Sequence, residues 1–258
     1  MTIEELLNHF YSDLILVKRD SEQTALTYKI SCGEFLNWLV EQRIKLRDVT
    51  VQNLMYFLVK RKTDGASELT ISKDISALRS FGDYLVRKSY WTENLALLLD
   101  RPKASRNLPK VLSLEEVEAL LGSIDTSTDL GKRDDALYEL IYSCGLRISE
   151  ACGLLIANVH MEEGLILVRG KGNKERLIPF GGVARKKLEL YLNEVRPKLV
   201  KERNVAEVFV NYKGNPISRK GVWKRFQELE ALSGVNSKVH TLRHSFATHL
   251  LSGGADLR

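Results

Sequence analysis

Through most of the first hundred residues, apolar side chains return every three or four positions, the spacing that collects them on one face of a helix. Ile3, Leu6, Leu7, Phe10 and Leu14 predict a helix over 3–17, and Leu26, Ile30, Phe35, Trp38 and Leu39 a second over 22–42. Thr50 reads as the N-cap of a third helix, which runs to about Lys62 and is stopped by Asp64-Gly65. Leu69, Ile75, Leu78, Phe81, Tyr84 and Leu85 predict a fourth over 68–88, with this set facing inward. Four helices on short connections form a small bundle.

After position 110 the pattern becomes mixed. Ser113-Leu-Glu-Glu116 matches a capping box, so a helix starts there, and another over 134–144 ends at Gly145 in a left-handed cap. Leu165–Arg169 and Glu175–Pro179 read as two strands around the turn Gly170-Lys-Gly-Asn173. Helices follow at about 183–200 and 219–232, with a short strand at Val208–Val210 between them, and a last helix runs from about Thr241 to Ser252. The expected fold class is mostly α: an N-terminal four-helix domain, then an α+β domain with a small antiparallel sheet. The expected domains are 1–100 and 111–258, with 101–110 as linker.

Charge supports that division. Residues 1–100 hold 13 Lys/Arg and 14 Asp/Glu, while 101–258 hold 26 and 19, so the excess of positive charge lies in the second half. The segment Arg101-Pro-Lys-Ala-Ser-Arg-Asn-Leu-Pro-Lys110 carries four basic residues, no acid and two of the five prolines. A basic linker beside a basic domain suits a phosphate backbone better than overall charge alone does. The three cysteines, Cys32, Cys144 and Cys152, are odd in number and lack C-x-x-C spacing, which argues against a disulfide framework or cysteine zinc site and fits a reducing cytoplasm. No apolar run is long enough for a membrane span, and the acidic, amphipathic start is unlike a signal peptide, so no membrane partner is expected.

Four basic side chains are candidates for chemistry. Arg147 follows Gly145, Lys171 lies in the hairpin turn, and His240 and Arg243 stand three apart at a helix start, where i and i+3 share a face. Two Arg, one Lys and one His converging on one point would form a phosphate cradle, with Arg forks on the non-bridging oxygens and Lys171 and His240 placed to move protons. Taken singly, each residue also fits an ordinary surface or packing role. His240 and His244 have i,i+4 metal spacing, but no Glu follows His240 as a zinc-protease pattern requires, so no metal is expected. Ser143, Ser149 and Ser245 lack a base-and-acid constellation, and no Walker loop or dinucleotide fingerprint occurs.

Gly145-Leu-Arg-Ile-Ser-Glu150, Gly170-Lys-Gly-Asn-Lys-Glu-Arg176 and His240-Thr-Leu-Arg-His-Ser-Phe-Ala-Thr-His249 occur in that order along the chain. Together with the preceding helical domain and linker, they resemble the tyrosine recombinase (phage integrase) family, and most closely its Xer-type members, across the whole chain. The resemblance implies a core-binding domain that clamps DNA and a catalytic domain that joins a tyrosine hydroxyl to DNA through a 3′-phosphotyrosyl link. It implies no metal or nucleotide cofactor. By carry-over, Arg147 and Arg243 bind the non-bridging oxygens, Lys171 protonates the leaving 5′-oxygen, His240 assists at the phosphate or nucleophile, and Glu150 supports the cluster. The implied partners are a double-stranded recombination site and, at full length, a homo- or hetero-tetramer of recombinases.

The family pattern continues past Arg258 with a second His or Trp and then the nucleophilic tyrosine, and none of the nine tyrosines here sits in a matching context. The expectation is a chain that binds DNA without cleaving it, trimmed relative to the family. Tyr138 and Tyr142 are expected to pack, with Tyr191 in a charged helix and Tyr212 in a turn. Lys174 and Arg176 are expected at phosphates, and Arg219, Lys220, Lys224 and Arg225 on a helix that approaches the major groove, where Arg219 or Lys220 would read guanine edges. Trp38, Trp91 and Trp223 are expected in the core. Two other classes fit part of the sequence: a non-catalytic DNA-binding or architectural protein, and a phosphate-binding enzyme of small molecules. The latter leaves the linker and N-terminal bundle without a purpose. Chromosome-dimer resolution and mobile-element integration both fit the motifs, and the lack of an arm-binding segment before Thr2 favours the former.

Overall fold

The computed structural model describes residues 2–102, 111–170 and 174–252. The chain divides into two compact units, Met1–Arg106 and Asn107–Arg258.

The first unit is built from α1 (Ile3–Leu16), α2 (Glu22–Glu41), α3 (Val51–Thr63) and α4 (Glu68–Arg87). Each begins at a Ser or Thr whose hydroxyl accepts a backbone N–H of the first turn: Thr2, Ser21, Thr50 and Ser67. The core joins Phe10 and Leu14 of α1 to Phe35 and Leu39 of α2, Phe57 of α3, and Ile75, Phe81 and Leu85 of α4. Three of the expected inward residues, Leu26, Ile30 and Leu69, are exposed. Small residues do the work instead: Ala25 and Cys32 of α2 and Ala77 of α4 are fully buried, which lets the helices approach closely. Asp74 is buried between these helices and is neutralised by Arg61 (3.1 Å) while accepting from Ser31 (2.8 Å). Arg79 is spent on the carbonyls of Ala96 and Leu99, capping the short turn Leu95–Leu98.

The second unit packs α5 (Leu114–Gly122), α6 (Asp129–Ser143), α7 (Ile148–Cys152), α8 (Gly182–Leu190), α9 (Arg196–Val200), α10 (Arg219–Ser233) and α11 (Val239–Ser252) around one core with a small sheet. Strands β1 (Val159–His160), β2 (Leu165–Arg169) and β3 (Glu175–Pro179) are antiparallel in that order. Ile166 faces Ile178, and Val168 faces Arg176. β2 and β3 coincide with the expected strands, whereas two-residue β1 is too short to show a period. Val208–Val210 is not a full strand; isolated bridges flank it, Leu155 with Glu207 and Val210 with Pro216. The expected 183–200 helix is interrupted by a wide π turn at Tyr191–Val195. Tyr191 there is fully buried, and its hydroxyl donates to the Val208 carbonyl (3.1 Å) and accepts from the Val210 N–H (3.2 Å).

α6 starts at a Thr128 cap, earlier than expected, because Asp134 is buried inside it rather than opening it. Both carboxylate oxygens of Asp134 are used: Oδ1 by the Arg133 guanidinium (2.9 and 2.6 Å), Oδ2 by Arg225 Nε of α10 (2.8 Å). Trp223 is 50% exposed and so does not belong to the core, unlike Trp38 and Trp91. Among the described residues, no helix is long and apolar enough to cross a membrane.

Candidate functional site

The site begins where α6 stops. Gly145 takes φ +57°, a conformation that costs a side-chain-bearing residue about 1 kcal/mol or more. The chain then enters α7 with Arg147 at the N-cap, in extended conformation (φ −73°, ψ 150°). Three residues on, Glu150 folds back so that its Oε2 accepts the Arg147 backbone N–H at 2.8 Å.

Glu150 is the hub. Its side chain is 3% exposed, yet it holds three guanidinium groups. Arg147 Nη1 donates to Oε1 at 2.8 Å. Arg176 of β3 donates through both terminal nitrogens, at 3.0 Å to Oε1 and 2.8 Å to Oε2. Arg243 of α11 brings Nη1 to 3.5 Å of Oε2 and donates to the Gly145 carbonyl at 2.7 Å. Burial raises the Glu150 pKa, but the Arg176 fork and the Arg147 contacts outweigh it and hold the group down at about 2. The carboxylate is therefore ionised at neutral pH. Three arginines against one carboxylate leave the cluster two charges positive, and the Arg243 pKa is lowered, by burial first and then by the charge of Arg147. An entering dianion or phosphodiester relieves that repulsion.

The structure thus brings Arg147, Glu150, Arg176 and Arg243 together. His240 lies in the first turn of α11, three residues before Arg243, and is exposed. Lys171 lies outside the described residues. Gly170 beside it donates to the Lys174 carbonyl (2.8 Å), closing the hairpin, and the Lys174 side chain is exposed. Arg176 is committed to Glu150 rather than standing free for a phosphate. The signal for this lay in the strand period, because Arg176 shares the inward side of β3 with Ile178, and an inward arginine calls for a carboxylate.

On α10, Arg219, Lys220 and Lys224 are exposed with Trp223, whereas Arg225 is held by Asp134 and Glu228 and so is not a free cation. Its raised pKa follows from Asp134 overcoming burial. Tyr138 is buried with its hydroxyl on the Val222 carbonyl (2.7 Å), Tyr142 pairs its hydroxyl with His249 Nδ1 (2.9 Å), and Tyr212 is exposed. The Ser245 hydroxyl bridges the Thr241 carbonyl and the Leu112 N–H, which occupies it structurally. Among the described residues, no three His, Cys, Asp or Glu side chains gather as a metal site.

The sequence profile described as "Phage integrase family" matches residues 110–258, and that described as "Phage integrase, N-terminal SAM-like domain" matches 7–89. The chain belongs to the phage integrase (tyrosine recombinase) family. Among curated members, it is 38% identical over 261 residues to tyrosine recombinase XerD of Listeria innocua, covering 99% of this chain and 88% of that one. It is 41% identical over 214 residues to tyrosine recombinase XerD of Halalkalibacterium halodurans, covering 82% and 72%. Among solved structures, this integrase-family chain matches the XerH site-specific recombinase bound to palindromic difH substrate with a TM-score of 0.77 at 24% identity, covering 99% and 75%. It matches a lambda integrase dimer bound to a COC′ core site with a TM-score of 0.73 at 17% identity, covering 99% and 92%. These two likenesses establish the mostly helical recombinase fold with its small sheet.

Proposed function

We propose that this chain is a XerD-like site-specific recombinase that binds duplex DNA and seats one phosphodiester on Arg147 and Arg243. The observation that carries the reading is the Glu150 cluster: one buried carboxylate orients arginines from α7, β3 and α11, and their summed charge stays positive. Arg147 and Arg243 hold the two non-bridging oxygens and stabilise charge that grows as a tyrosine oxygen bonds to phosphorus and the bond to the 5′-oxygen breaks. Lys171 supplies the proton to that 5′-oxygen, and His240 acts at the phosphate or the nucleophile. The product is a 3′-phosphotyrosyl link and a free 5′-hydroxyl, and attack by a partner strand's 5′-hydroxyl reverses these steps.

Residues 1–100 and 111–258 act as the core-binding and catalytic domains, with basic 101–110 as their linker. Exposed Arg219, Lys220 and Lys224 approach the DNA. The assembly is a homo- or hetero-tetramer on a recombination site in the cytoplasm, and its role is chromosome-dimer resolution or a related integration or excision. The 258-residue polypeptide itself binds without cleaving: of the tyrosines in its second unit Tyr138 and Tyr191 are buried, the Tyr142 hydroxyl is engaged by His249, and exposed Tyr212 has no matching family motif around it.

The test uses this polypeptide and a labelled duplex. Affinity falls steeply with salt, with a log–log slope of several units, as counterions are released, and denaturing gels show no covalent protein–DNA adduct. A flat salt response overturns the DNA reading. A covalent adduct overturns the statement that the chain does not cleave.

A further inference from the structure

Glu150 sits between two demands. It orients Arg147 and Arg243, yet as an ionised group it also competes with any incoming phosphate for their donors. Arg176 alters that competition. Its fork covers both carboxylate oxygens, while Arg147 reaches Glu150 through one side-chain nitrogen and Arg243 stays at 3.5 Å.

The fold is shaped for the fork. Arg176 lies opposite buried Val168 across the hairpin. A Cβ at position 170 would come within 3.1 Å of Arg176 Nη1 and 3.8 Å of Glu150 Oε1, so a glycine there leaves the guanidinium its place.

We propose that Arg176 is a positioning residue, whose bidentate hold on Glu150 saturates that carboxylate and leaves the outer nitrogens of Arg147 and Arg243 to a phosphate. This rests on the reading of the cluster as a phosphodiester site. It makes Arg176 part of the recombination machinery without contact to DNA, and it makes the planar fork, rather than the charge, the required feature.

The test is a titration of the 258-residue chain with inorganic phosphate, followed by NMR of the arginine side-chain nitrogens. In the unsubstituted chain, phosphate moves the Arg147 and Arg243 signals and leaves that of Arg176 nearly still. Arg176→Met and Arg176→Lys both weaken phosphate binding by about tenfold, the effect of one lost charge-assisted contact. Arg176→Met combined with Glu150→Gln loses no more than the worse of the two single variants, because both act through one carboxylate.

Three results overturn the proposal. One is unchanged affinity in Arg176→Lys, including the case in which its melting temperature falls, which assigns Arg176 to charge or to fold alone. Another is losses that multiply in the double variant, which assigns it an independent contact. The third is a phosphate-induced shift of the Arg176 signal as large as those of Arg147 and Arg243. Arg176→Lys decides the matter if Arg176→Met fails to fold. If phosphate moves no arginine signal in the unsubstituted chain, the site reading itself fails and the role of Arg176 falls with it.

Discussion

Gly145 stands directly against Phe246: a Cβ added at position 145 would lie 2.5 Å from Cδ1 of the phenyl ring. The turn that delivers Arg147 and the helix that delivers Arg243 therefore meet at a point with no room for a methyl group. The left-handed backbone at Gly145 (φ +57°) and this close approach select glycine for two separate reasons. Gly145→Ala is expected to destabilise the second unit by about 2–3 kcal/mol, combining backbone strain with overpacking. Urea unfolding of the variant beside the parent checks this, and a shift below about 0.5 kcal/mol would show that Phe246 swings aside freely.

Glu150→Ala removes the hub and leaves three cations facing one another. Loss of one partner from a fully buried pair costs about 3–5 kcal/mol. Because the arginines here are partly exposed, a smaller loss of about 2 kcal/mol is expected, with water screening the remainder. Thermal melting should show the loss in the second unit, and the first unit should melt unchanged.

Acid provides an independent check on the same carboxylate. The Glu150 pKa is depressed from 4.5 to about 2, with burial opposing and the arginines prevailing. A group depressed in the folded state contributes stability that is complete above its unfolded value and is lost as pH falls through the folded value. The parent chain should therefore lose unfolding free energy between about pH 4.5 and 2, and Glu150→Gln should lose less across that window. Parallel slopes for the two chains would mean that other carboxylates govern acid unfolding.

Arg225 and its neighbours on α10 separate structure from binding. Asp134 is fully buried and joins Arg133 to Arg225, so Asp134→Ala is expected to cost about 3–5 kcal/mol in stability. Lys220→Ala and Lys224→Ala should leave melting unchanged, and each should lower the salt slope of DNA binding by about one unit if the residue meets a phosphate. Arg225→Met should do the reverse, lowering the melting temperature with little change in slope.

The thiols should be inert near neutral pH. Burial pushes Cys144 and Cys152 up to about 11, with Arg219 partly offsetting it at Cys152, and burial raises Cys32 as well. Alkylation of the folded chain at pH 7 should be slow at all three and should become fast in denaturant. Rapid labelling of one native thiol would show that its pocket opens readily.

Much of this was legible in the sequence. Helix period and caps located α1 to α4 within a residue or so, and hairpin chemistry located β2 and β3. Leu26, Ile30 and Leu69 misled because periodicity weighs side-chain size, while close helix packing selected Ala25, Cys32 and Ala77. Motif order pointed to Arg147, Glu150 and Arg243. It did not reveal that Glu150 takes Arg176 and buried Asp134 takes Arg225, because those carboxylates lie 26 and 91 positions away along the chain; of the partners of Arg225 only Glu228, one helical turn on, was within reach of the sequence. Charge counts identify a cation, and only tertiary structure identifies what that cation faces.

The wide turn at Tyr191–Val195 governs how the 182–200 rod responds to changes in length. Removing one residue from the regular turns of Gly182–Leu190, with the wide turn kept, would rotate everything beyond it by about 100°. Arg196 would then swing away from the carbonyls of Val205, Glu207 and Val208, which it now gathers at 2.6–3.3 Å. The loop segment that receives both Arg196 and the Tyr191 hydroxyl would lose both anchors at once. Along this stretch the spacing of residues is as much a part of the fold as their identity, so a conservative substitution at an exposed position should be absorbed where a single-codon deletion would not.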